Sequence, residues 1–446
     1  MASEAATNSQ HSNHALNTYT GTQIVASQPA SDVIKRAVMT NGVDAAATDP
    51  AAQSRLHRVF SVELPTGGVT NQKQSGRCWE FSLLNTLRHQ FATTNKVKDF
   101  ELSQNYLFFW DKVERANMFY QHIIDTADKG PNDREVAFYL KMAGGDGGQW
   151  AMAAALVQKY GVVPDYVMPE TYNSEHTKAF ASTLALKMRR DAVTLRDAAA
   201  NGASAAELDQ QRHTMVGEVY RMAAYSFGEP PATFDLEYRD DDKQLHRDAG
   251  LTPQGFYDKY FGVDLDDYVV VTNSPDKPLN KLYRLASQEN IVGGKQIQFL
   301  NVDMDVLKQT AIQQLQDGET IWFGNDVLQQ MSREQGFLDA NLFRRAELFG
   351  IDLTMDKAHR FAYHEAEVTH AMTLTGVNLV DGQPNRWKVE NSWGEKNGEK
   401  GYFVMTDDWM DQFVYEVVVH KKYLTAEQQA LLETEPVELA PWDPLM

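Results

Sequence analysis

The chain has 446 residues, 43% of them hydrophobic and 23% charged, a balance typical of a globular protein with a large core. The 42 basic and 61 acidic side chains give a net charge of −19, which disfavours nucleic acid and anionic lipid surfaces as partners. No apolar run is long enough for a membrane span, no secretory signal opens the chain, and a single cysteine allows no intrachain disulfide. We therefore expect a cytoplasmic protein without membrane contact.

The first predicted segments are an arm and a helix. Residues 1–45 are polar and rich in Ala, Ser, Thr and Asn, which predicts a loose N-terminal arm whose beginning is disordered. Residues 79–91 place apolar side chains at steps of three and four, which predicts a helix with one buried face. That face is formed by Trp79, Leu83, Leu84, Leu87 and Phe91.

Cys78, the only cysteine, directly precedes this helix. The unpaired N–H groups and the dipole at a helix N-terminus favour a thiolate, which is the reactive form of the side chain. Gln72 lies six residues upstream, so its amide and the backbone N–H of Cys78 are candidates for an oxyanion hole. The alternative is an inert buried thiol, since free cysteines are often buried.

The middle of the chain predicts a helical region followed by a sheet. Residues 179–198 and 205–225 have the pattern of charged amphipathic helices. Met188, Val193, Leu208, Met215 and Met222 are interpreted as a packed face of these helices, rather than as a stripe that faces a cofactor. Strands are predicted at 296–302 and 320–325 around a helix at 304–315, and further strands with short turns over residues 370–420.

Two strand-like segments in the last part of the chain supply a base and its partner. One covers residues 368–377 and contains His370, and the other covers residues 387–394 and contains Asn391, which is followed by Ser392, Trp393 and Gly394. A histidine that accepts the thiol proton and an asparagine that holds the imidazole form the Cys-His-Asn version of the catalytic triad. Trp393 is in a position to cover the His370–Asn391 hydrogen bond from water. An ordinary turn asparagine is the alternative for Asn391.

These motifs resemble the papain-like cysteine peptidases, and within them the cytosolic branch of bleomycin hydrolase and bacterial aminopeptidase C. The resemblance rests on the spacing from Gln72 to Cys78, on Cys78-Trp79 and His370-Ala371, and on the Asn-Ser-Trp-Gly sequence that begins at Asn391, all in the family's chain order. The sequence from Asp146 to Trp150 resembles the family's glycine pair, here Gly147 and Gly148, whose backbone pairs with an extended peptide substrate.

The resemblance implies an α+β, papain-like, two-lobed fold with a helical lobe, a β-sheet lobe and a large helical insertion. The 292 residues between Cys78 and His370 are about twice the usual separation, which points to that insertion. It also implies a homohexamer, peptide substrates, and catalysis by a thiolate–imidazolium pair without a cofactor or metal. The expected divisions are an N-terminal arm (1–45), a helical lobe (46–170), the insertion (171–281), a sheet lobe (282–436) and a C-terminal arm that enters the cleft (437–446).

The end of the sequence bears on the kind of peptidase. Family members end in a short arm after Trp-Asp-Pro, and its terminal carboxylate blocks the cleft and binds the substrate's α-ammonium. Here Trp442-Asp443-Pro444 is present and Met446 follows shortly after, so we expect an aminopeptidase in which Met446 contacts the substrate. Because this arm is shorter than usual, an endopeptidase of the same branch is the alternative. A non-catalytic papain-like binding protein is the rival from another class.

Overall fold

The computed structural model describes residues 18–446. The first 17 residues of the predicted N-terminal arm lie outside the described residues. Within the described part, contacts divide the chain into two compact units, one formed by residues 18–51 with 341–354 and the other by residues 52–340 with 355–446. All the candidate site residues named above belong to the second unit.

The helices of the described residues are numbered in chain order. They are α1 (Thr18–Ala26), α2 (Ser31–Asn41), α3 (Val43–Ala47), α4 (Ala52–Arg55), α5 (Cys78–Asn95), α6 (Gln104–Asp125), α7 (Arg134–Met142), α8 (Trp150–Tyr160), α9 (Tyr172–Glu175), α10 (Lys178–Ala200), α11 (Ala205–Phe227), α12 (Pro253–Tyr260), α13 (Met304–Gln316), α14 (Arg345–Phe349), α15 (Lys357–Ala362), α16 (Asp407–Phe413) and α17 (Ala426–Leu432). Short 3₁₀ turns occur at Asp165–Val167, Leu265–Asp267, Ala286–Gln288 and Lys421–Tyr423.

The strands are numbered in the same way. They are β1 (Val62–Glu63), β2 (Phe234–Arg239), β3 (Leu245–Leu251), β4 (Tyr268–Thr272), β5 (Lys281–Arg284), β6 (Gln298–Asn301), β7 (Ile321–Asn325), β8 (Met331–Ser332), β9 (Phe337–Leu338), β10 (His370–Val380), β11 (Gln383–Glu390), β12 (Tyr402–Thr406), β13 (Val414–His420) and β14 (Val437–Glu438).

The first unit contains α1–α3 and α14, so residues 18–47 form helices where the sequence predicts a loose arm. The backbone N–H of Asp49 donates to the carbonyl of Leu342 at 2.8 Å, and an ion pair of 2.7 Å joins Asp44 to Arg345. These bonds come from a segment about 300 residues downstream. The sequence pattern of the arm carries no signal for them, because they depend on tertiary contact.

The helical lobe of the second unit is built around α5 and α6. Every residue of the predicted apolar face of α5 is buried, from Trp79 to Phe91, so that prediction is confirmed. Ser103 caps α6 by accepting a hydrogen bond of 3.0 Å from the backbone N–H of Tyr106, which satisfies one of the unpaired donors of the first turn. Helix α5, whose first residue is Cys78, is held in this lobe by its buried apolar face.

Helices α10 and α11 confirm the two amphipathic helices predicted in the insertion. Met188, Leu208 and Met215 are buried, as a packed helix face requires, whereas Val193 is 60% exposed and does not belong to it. Ser204 and Glu207 form a capping box at the start of α11. This part of the chain also contains the β2–β3 hairpin, which forms a separate two-stranded sheet.

A large mixed sheet dominates the second lobe. Its strand order is β14-β5-β6-β4-β13-β7-β10-β11-β12-β9-β8, and β1 pairs with β10. Strands β6 and β7 and helix α13 confirm the predicted strand–helix–strand segment. Strand β4 lies inside the range expected to be helical insertion (171–281), so the sheet begins before the expected boundary at residue 282. Its four consecutive β-branched residues, Val269–Thr272, favour a strand that is paired on both edges.

The two lobes are joined by hydrogen bonds between α5 and the sheet. The indole N–H of Trp322 on β7 donates to the carbonyl of Trp79 at 3.1 Å, and the Ser82 hydroxyl donates to the carbonyl of Met372 at 2.6 Å. The α+β architecture predicted from the sequence is confirmed. Across residues 18–446, none of the helices combines the length and apolar character that crossing a bilayer requires.

Candidate active site

Cys78 is the first residue of α5, directly after the N-cap residue Arg77. The guanidinium of Arg77 is fully buried and forms two hydrogen bonds, of 2.9 and 2.8 Å, to the carboxylate of Glu170. This bidentate pair holds the turn that enters the helix. The thiol is therefore presented at the helix N-terminus by a fixed backbone and keeps partial contact with solvent.

His370 and Asn391 come together from neighbouring strands. His370 opens β10, Asn391 follows the last residue of β11, and the imidazole Nε2 lies 2.9 Å from the Asn391 Oδ1. The same Oδ1 accepts the backbone N–H of Ser392 at 2.8 Å, so the amide oxygen faces the imidazole and Nε2 is the protonated ring nitrogen. The Trp393 ring lies against His370 with centroids 4.9 Å apart, in the covering position that the sequence suggests.

Both polar atoms of the Gln72 side-chain amide form hydrogen bonds. Its Nε2 donates to the carbonyl of Ser75 at 2.7 Å, and its Oε1 accepts the Ser392 hydroxyl at 2.6 Å. The backbone N–H of Gln72 also donates to the carbonyl of Ser392 at 2.8 Å. Sequence reasoning gave Ser392 no role beyond membership of a motif, because a contact across 320 residues has no local signature.

The glycine pair packs on the nucleophile helix. The Trp79 indole donates to the carbonyl of Asp146 at 2.8 Å, and a Cβ on Gly148 would lie only 2.7 Å from the Trp79 ring. A Cβ on Gly147 would meet no atom within 4 Å. Gly148 is therefore required by close packing, whereas Gly147 leaves open space at the surface of the cleft.

One cavity of about 240 Å³ collects most of the predicted site residues. Its lining includes Gln72, Cys78, Gly147, Gly148, His370 and Met446. Asn391, the remaining predicted site residue, does not line the cavity but forms a hydrogen bond with His370, which does.

The C-terminal arm is anchored where it approaches this cavity. The Gln149 amide donates to the carbonyl of the buried Leu445 at 2.9 Å, and Asp443 forms an ion pair of 3.2 Å with Lys277. Farther out, the Arg134 guanidinium lies 3.6 Å from the centroid of the Trp442 ring. Gln149, immediately after the glycine pair, therefore anchors the C-terminal arm, a contact that the sequence alone does not indicate.

Burial governs the protonation of the two reactive groups. It raises the pKa of the Cys78 thiol to about 11, although a hydrogen bond with the backbone of Ala371 acts in the opposite direction. It lowers the pKa of His370 to about 4, opposed by the hydrogen bond to Asn391. Either charge alone is therefore disfavoured. The sequence predicts that the helix N-terminus favours a thiolate, and burial, which the sequence does not show, acts against that form of Cys78.

A thiol at a helix N-terminus and an imidazole oriented by an asparagine, facing one cavity of an α+β fold, define a papain-like cysteine-type peptidase. Among residues 18–446, no group of three or more His, Cys, Asp or Glu side chains is arranged to hold a metal ion.

Comparisons with known proteins agree with this class. Residues 12–446 match the model of the Peptidase C1-like family. The chain is 58% identical to Aminopeptidase G of Lactobacillus delbrueckii subsp. lactis, with 94% of this chain and 95% of the relative aligned, and 45% identical to Aminopeptidase C of the same organism, with 95% and 96% aligned. The crystal structure of PepW from Lactobacillus rhamnosis HN001 superposes with a TM-score of 0.95 at 50% identity, covering 97% of this chain and 99% of that one. The chain belongs to the Peptidase C1-like family.

Proposed function

We propose that this protein is a cysteine aminopeptidase that removes N-terminal residues from peptides, with Cys78 as nucleophile, His370 as base and Asn391 as the residue that orients the imidazole. The observation that carries the proposal is the cavity shared by Cys78, His370 and the end of the C-terminal arm. The relatives described above carry aminopeptidase names, which supports the same activity.

The first step is a proton transfer from the Cys78 thiol to the imidazole of His370. Because Nε2 of His370 is hydrogen-bonded to Asn391, the other ring nitrogen, Nδ1, receives the proton of the Cys78 thiol. The two charges form together and stabilise each other, whereas either one alone is opposed by burial. The thiolate then attacks the carbonyl carbon of the first peptide bond, and a carbon–sulfur bond forms.

The oxyanion produced by this attack is assigned to two donors. The backbone N–H of Cys78 belongs to the unpaired first turn of α5. The Gln72 amide uses one N–H for the carbonyl of Ser75 and carries a second. Because Ser75 and Ser392 hold this amide rigidly, its reorganisation in the transition state costs little.

The release of both products depends on proton transfers by His370. The imidazolium protonates the leaving amine nitrogen as the peptide bond breaks, which leaves an acyl group on the Cys78 sulfur. A water molecule then gives a proton to His370 and attacks the acyl carbon. The carbon–sulfur bond breaks, the free amino acid is released, and His370 returns the proton to the Cys78 sulfur. No step requires a cofactor.

Gly147, Gly148 and Met446 are assigned to substrate binding. The open space at Gly147 allows an extended peptide to approach the backbone there and form strand-like hydrogen bonds. In a protein that ends at Met446, its carboxylate accepts the α-ammonium of the substrate in a charge-assisted hydrogen bond. The arm would then exclude longer N-terminal extensions and confine cleavage to the first bond.

The assembly is proposed to be a homohexamer. Five large apolar side chains of the first unit are more than half exposed, namely Ile24, Val33, Met39, Ile351 and Leu353, and exposed apolar surface is a mark of protein–protein interfaces. Light scattering coupled to size exclusion tests this assembly. A hexameric mass supports it, and a monomer at micromolar concentration contradicts it.

A cytoplasmic location belongs to the same proposal. Cys78 is the only cysteine and must stay reduced to act as a nucleophile, a condition that the cytoplasm maintains. Fractionation of cells followed by immunodetection tests the location. Recovery of the protein outside the cytoplasmic fraction would contradict it.

Activity is tested with one oligopeptide in two forms, free and acetylated at the N-terminus, with products read by mass spectrometry. We expect the free form to lose one residue at a time and the acetylated form to stay intact, with Cys78→Ser inactive on both. Internal cleavage of the acetylated form at a similar rate would show an endopeptidase instead. If neither form is cut under reducing conditions, the peptidase proposal fails.

A further inference from the structure

A buried charged cluster lies outside the cavity and directly beside the residue that orients His370. Glu390 is the last residue of β11, and Asn391 follows it. The Glu390 side chain is inaccessible to solvent. Its Oε1 lies 2.5 Å from the Arg88 guanidinium, and its Oε2 lies 2.6 Å from Nε2 of His89. Both partners belong to α5, the helix that begins with Cys78.

The same cluster reaches the segment that leads to Gln72. The nitrogen of Arg88 that binds Glu390 also donates to the carbonyl of Gly68 at 2.7 Å. The neighbouring carbonyl of Gly67 accepts the Tyr402 hydroxyl at 2.9 Å. One carboxylate thus connects the helix of the nucleophile, the strand that precedes Asn391 and the segment that precedes the oxyanion donor.

The carboxylate is ionised in this environment. Burial alone would raise the pKa of Glu390, but the charges and hydrogen bonds of His89 and Arg88 lower it below its usual value. A carboxylate buried with two donors is rigid, because movement of either side would leave a charge unpaired in a medium of low polarity.

The direction of the side chains explains how the cluster affects the site. Successive residues of an extended chain point to opposite sides, and here the Glu390 side chain points to α5 while Asn391 points to His370. A shift of the backbone at Glu390 therefore displaces the Asn391 amide, and the His370–Asn391 hydrogen bond of 2.9 Å depends on that amide.

We propose that Glu390 is a positioning residue for peptide hydrolysis: by binding Arg88 and His89 on the nucleophile helix, it fixes Asn391 and, through Asn391, the imidazole of His370 relative to Cys78. This inference rests on the proposed aminopeptidase function. Glu390 touches neither the substrate nor the reacting atoms, so it acts on the orientation of the base and not on substrate binding.

The test compares Glu390→Gln with wild type and with the control Asp191→Asn. Asp191 is also a fully buried carboxylate held by several partners, Tyr120, Lys187 and Arg190, but it lies on α10. Each folded protein is assayed for kcat and KM on the free peptide, and for the rate at which iodoacetamide alkylates Cys78 at several pH values. The alkylation rate reports the thiolate population of the Cys78–His370 pair without requiring turnover.

We expect Glu390→Gln to lower kcat by about tenfold or more with KM changed less than about twofold, and to slow alkylation near neutral pH, because a displaced Asn391 no longer supports the imidazolium. Asp191→Asn should change neither quantity by more than about twofold. A folded Glu390→Gln protein with the kcat and alkylation profile of wild type would overturn the proposal.

If Glu390→Gln does not fold, a second variant, His89→Ala, takes its place in the test. It removes one of the two partners of Glu390 and leaves the ion pair with Arg88. It should lower kcat by about threefold or more with KM unchanged, and wild-type kcat in this variant would equally overturn the proposal. If wild type itself does not hydrolyse the peptide, the proposed function fails. The alkylation comparison would still decide whether Glu390 positions His370.

Discussion

Glu416 is expected to make the stability of this protein fall as the pH rises. Its side chain is inaccessible to solvent on β13, and neither carboxylate oxygen has a hydrogen-bond partner among residues 18–446. The carboxyl group packs over Gly324, where a Cβ would lie 3.0 Å from Oε2. Burial raises the pKa of Glu416 from 4.5 to about 8, so the folded protein holds this proton while the unfolded chain releases it.

The sign and size follow from proton linkage. Because the pKa is higher in the folded state, the folded protein binds this proton more tightly than the unfolded chain. The resulting stabilisation is complete below pH 4.5, and it is lost as the pH rises to about 8. Each pH unit well inside that window changes it by about 1.4 kcal/mol. Between about pH 5 and about pH 8 the expected loss is on the order of 3.5 kcal/mol.

Glu416→Gln removes this dependence, since glutamine resembles the protonated carboxyl group in shape and does not ionise. Urea unfolding of both proteins at several pH values measures the difference. The variant should gain about 3.5 kcal/mol relative to wild type from about pH 5 to about pH 8, and the control Glu229→Gln, at an exposed glutamate, should gain none. A difference that stays constant over this range would refute the reasoning.

Four substitutions test separate parts of the site. Gln72→Ala should lower kcat by about 10²- to 10³-fold with a much smaller change in KM, because its amide acts on charge that develops in the transition state; an equal change in both would contradict this. Asn391→Ala should slow alkylation of the nucleophilic thiol near neutral pH, because its hydrogen bond raises the pKa of the imidazole; an unchanged rate would count against that role. Gly148→Ala should lower both activity and the unfolding midpoint, since its Cβ would lie 2.7 Å from the Trp79 ring, and Gly147→Ala should keep the midpoint of wild type; equal midpoints for the two variants would exclude the packing argument.

The parts of the fold that follow from the sequence are those with a local pattern. The buried face of α5 is encoded in the spacing of its apolar residues, and β6, α13 and β7 alternate between strand and helix patterns. Strand β4 has only five residues and follows a helical region, so its membership of the sheet depends on pairing with β6 and β13. The helices in residues 18–47 were not predicted either, because they also depend on tertiary contacts, here with residues 342 and 345.

The candidate residues of the site were accessible from the sequence because thiol, imidazole and amide side chains stand in motifs with a chemical meaning. Their supporting contacts were not. Arg88 and Glu390 are separated by 302 residues, and Ser392 and Gln72 by 320, so these bonds arise only once the two lobes meet. The same holds for the protonation of Cys78, because burial, which raises its pKa, is a property of the fold.

The most direct test of the central claim uses the fact that Cys78 is the only cysteine. The protein is treated with increasing amounts of iodoacetamide, and each sample is divided between intact mass spectrometry and a peptide hydrolysis assay. If Cys78 is the nucleophile, the remaining activity equals the fraction of protein without an adduct at every point, and it reaches zero when one adduct is complete. A fully alkylated protein that still hydrolyses the peptide would contradict the account.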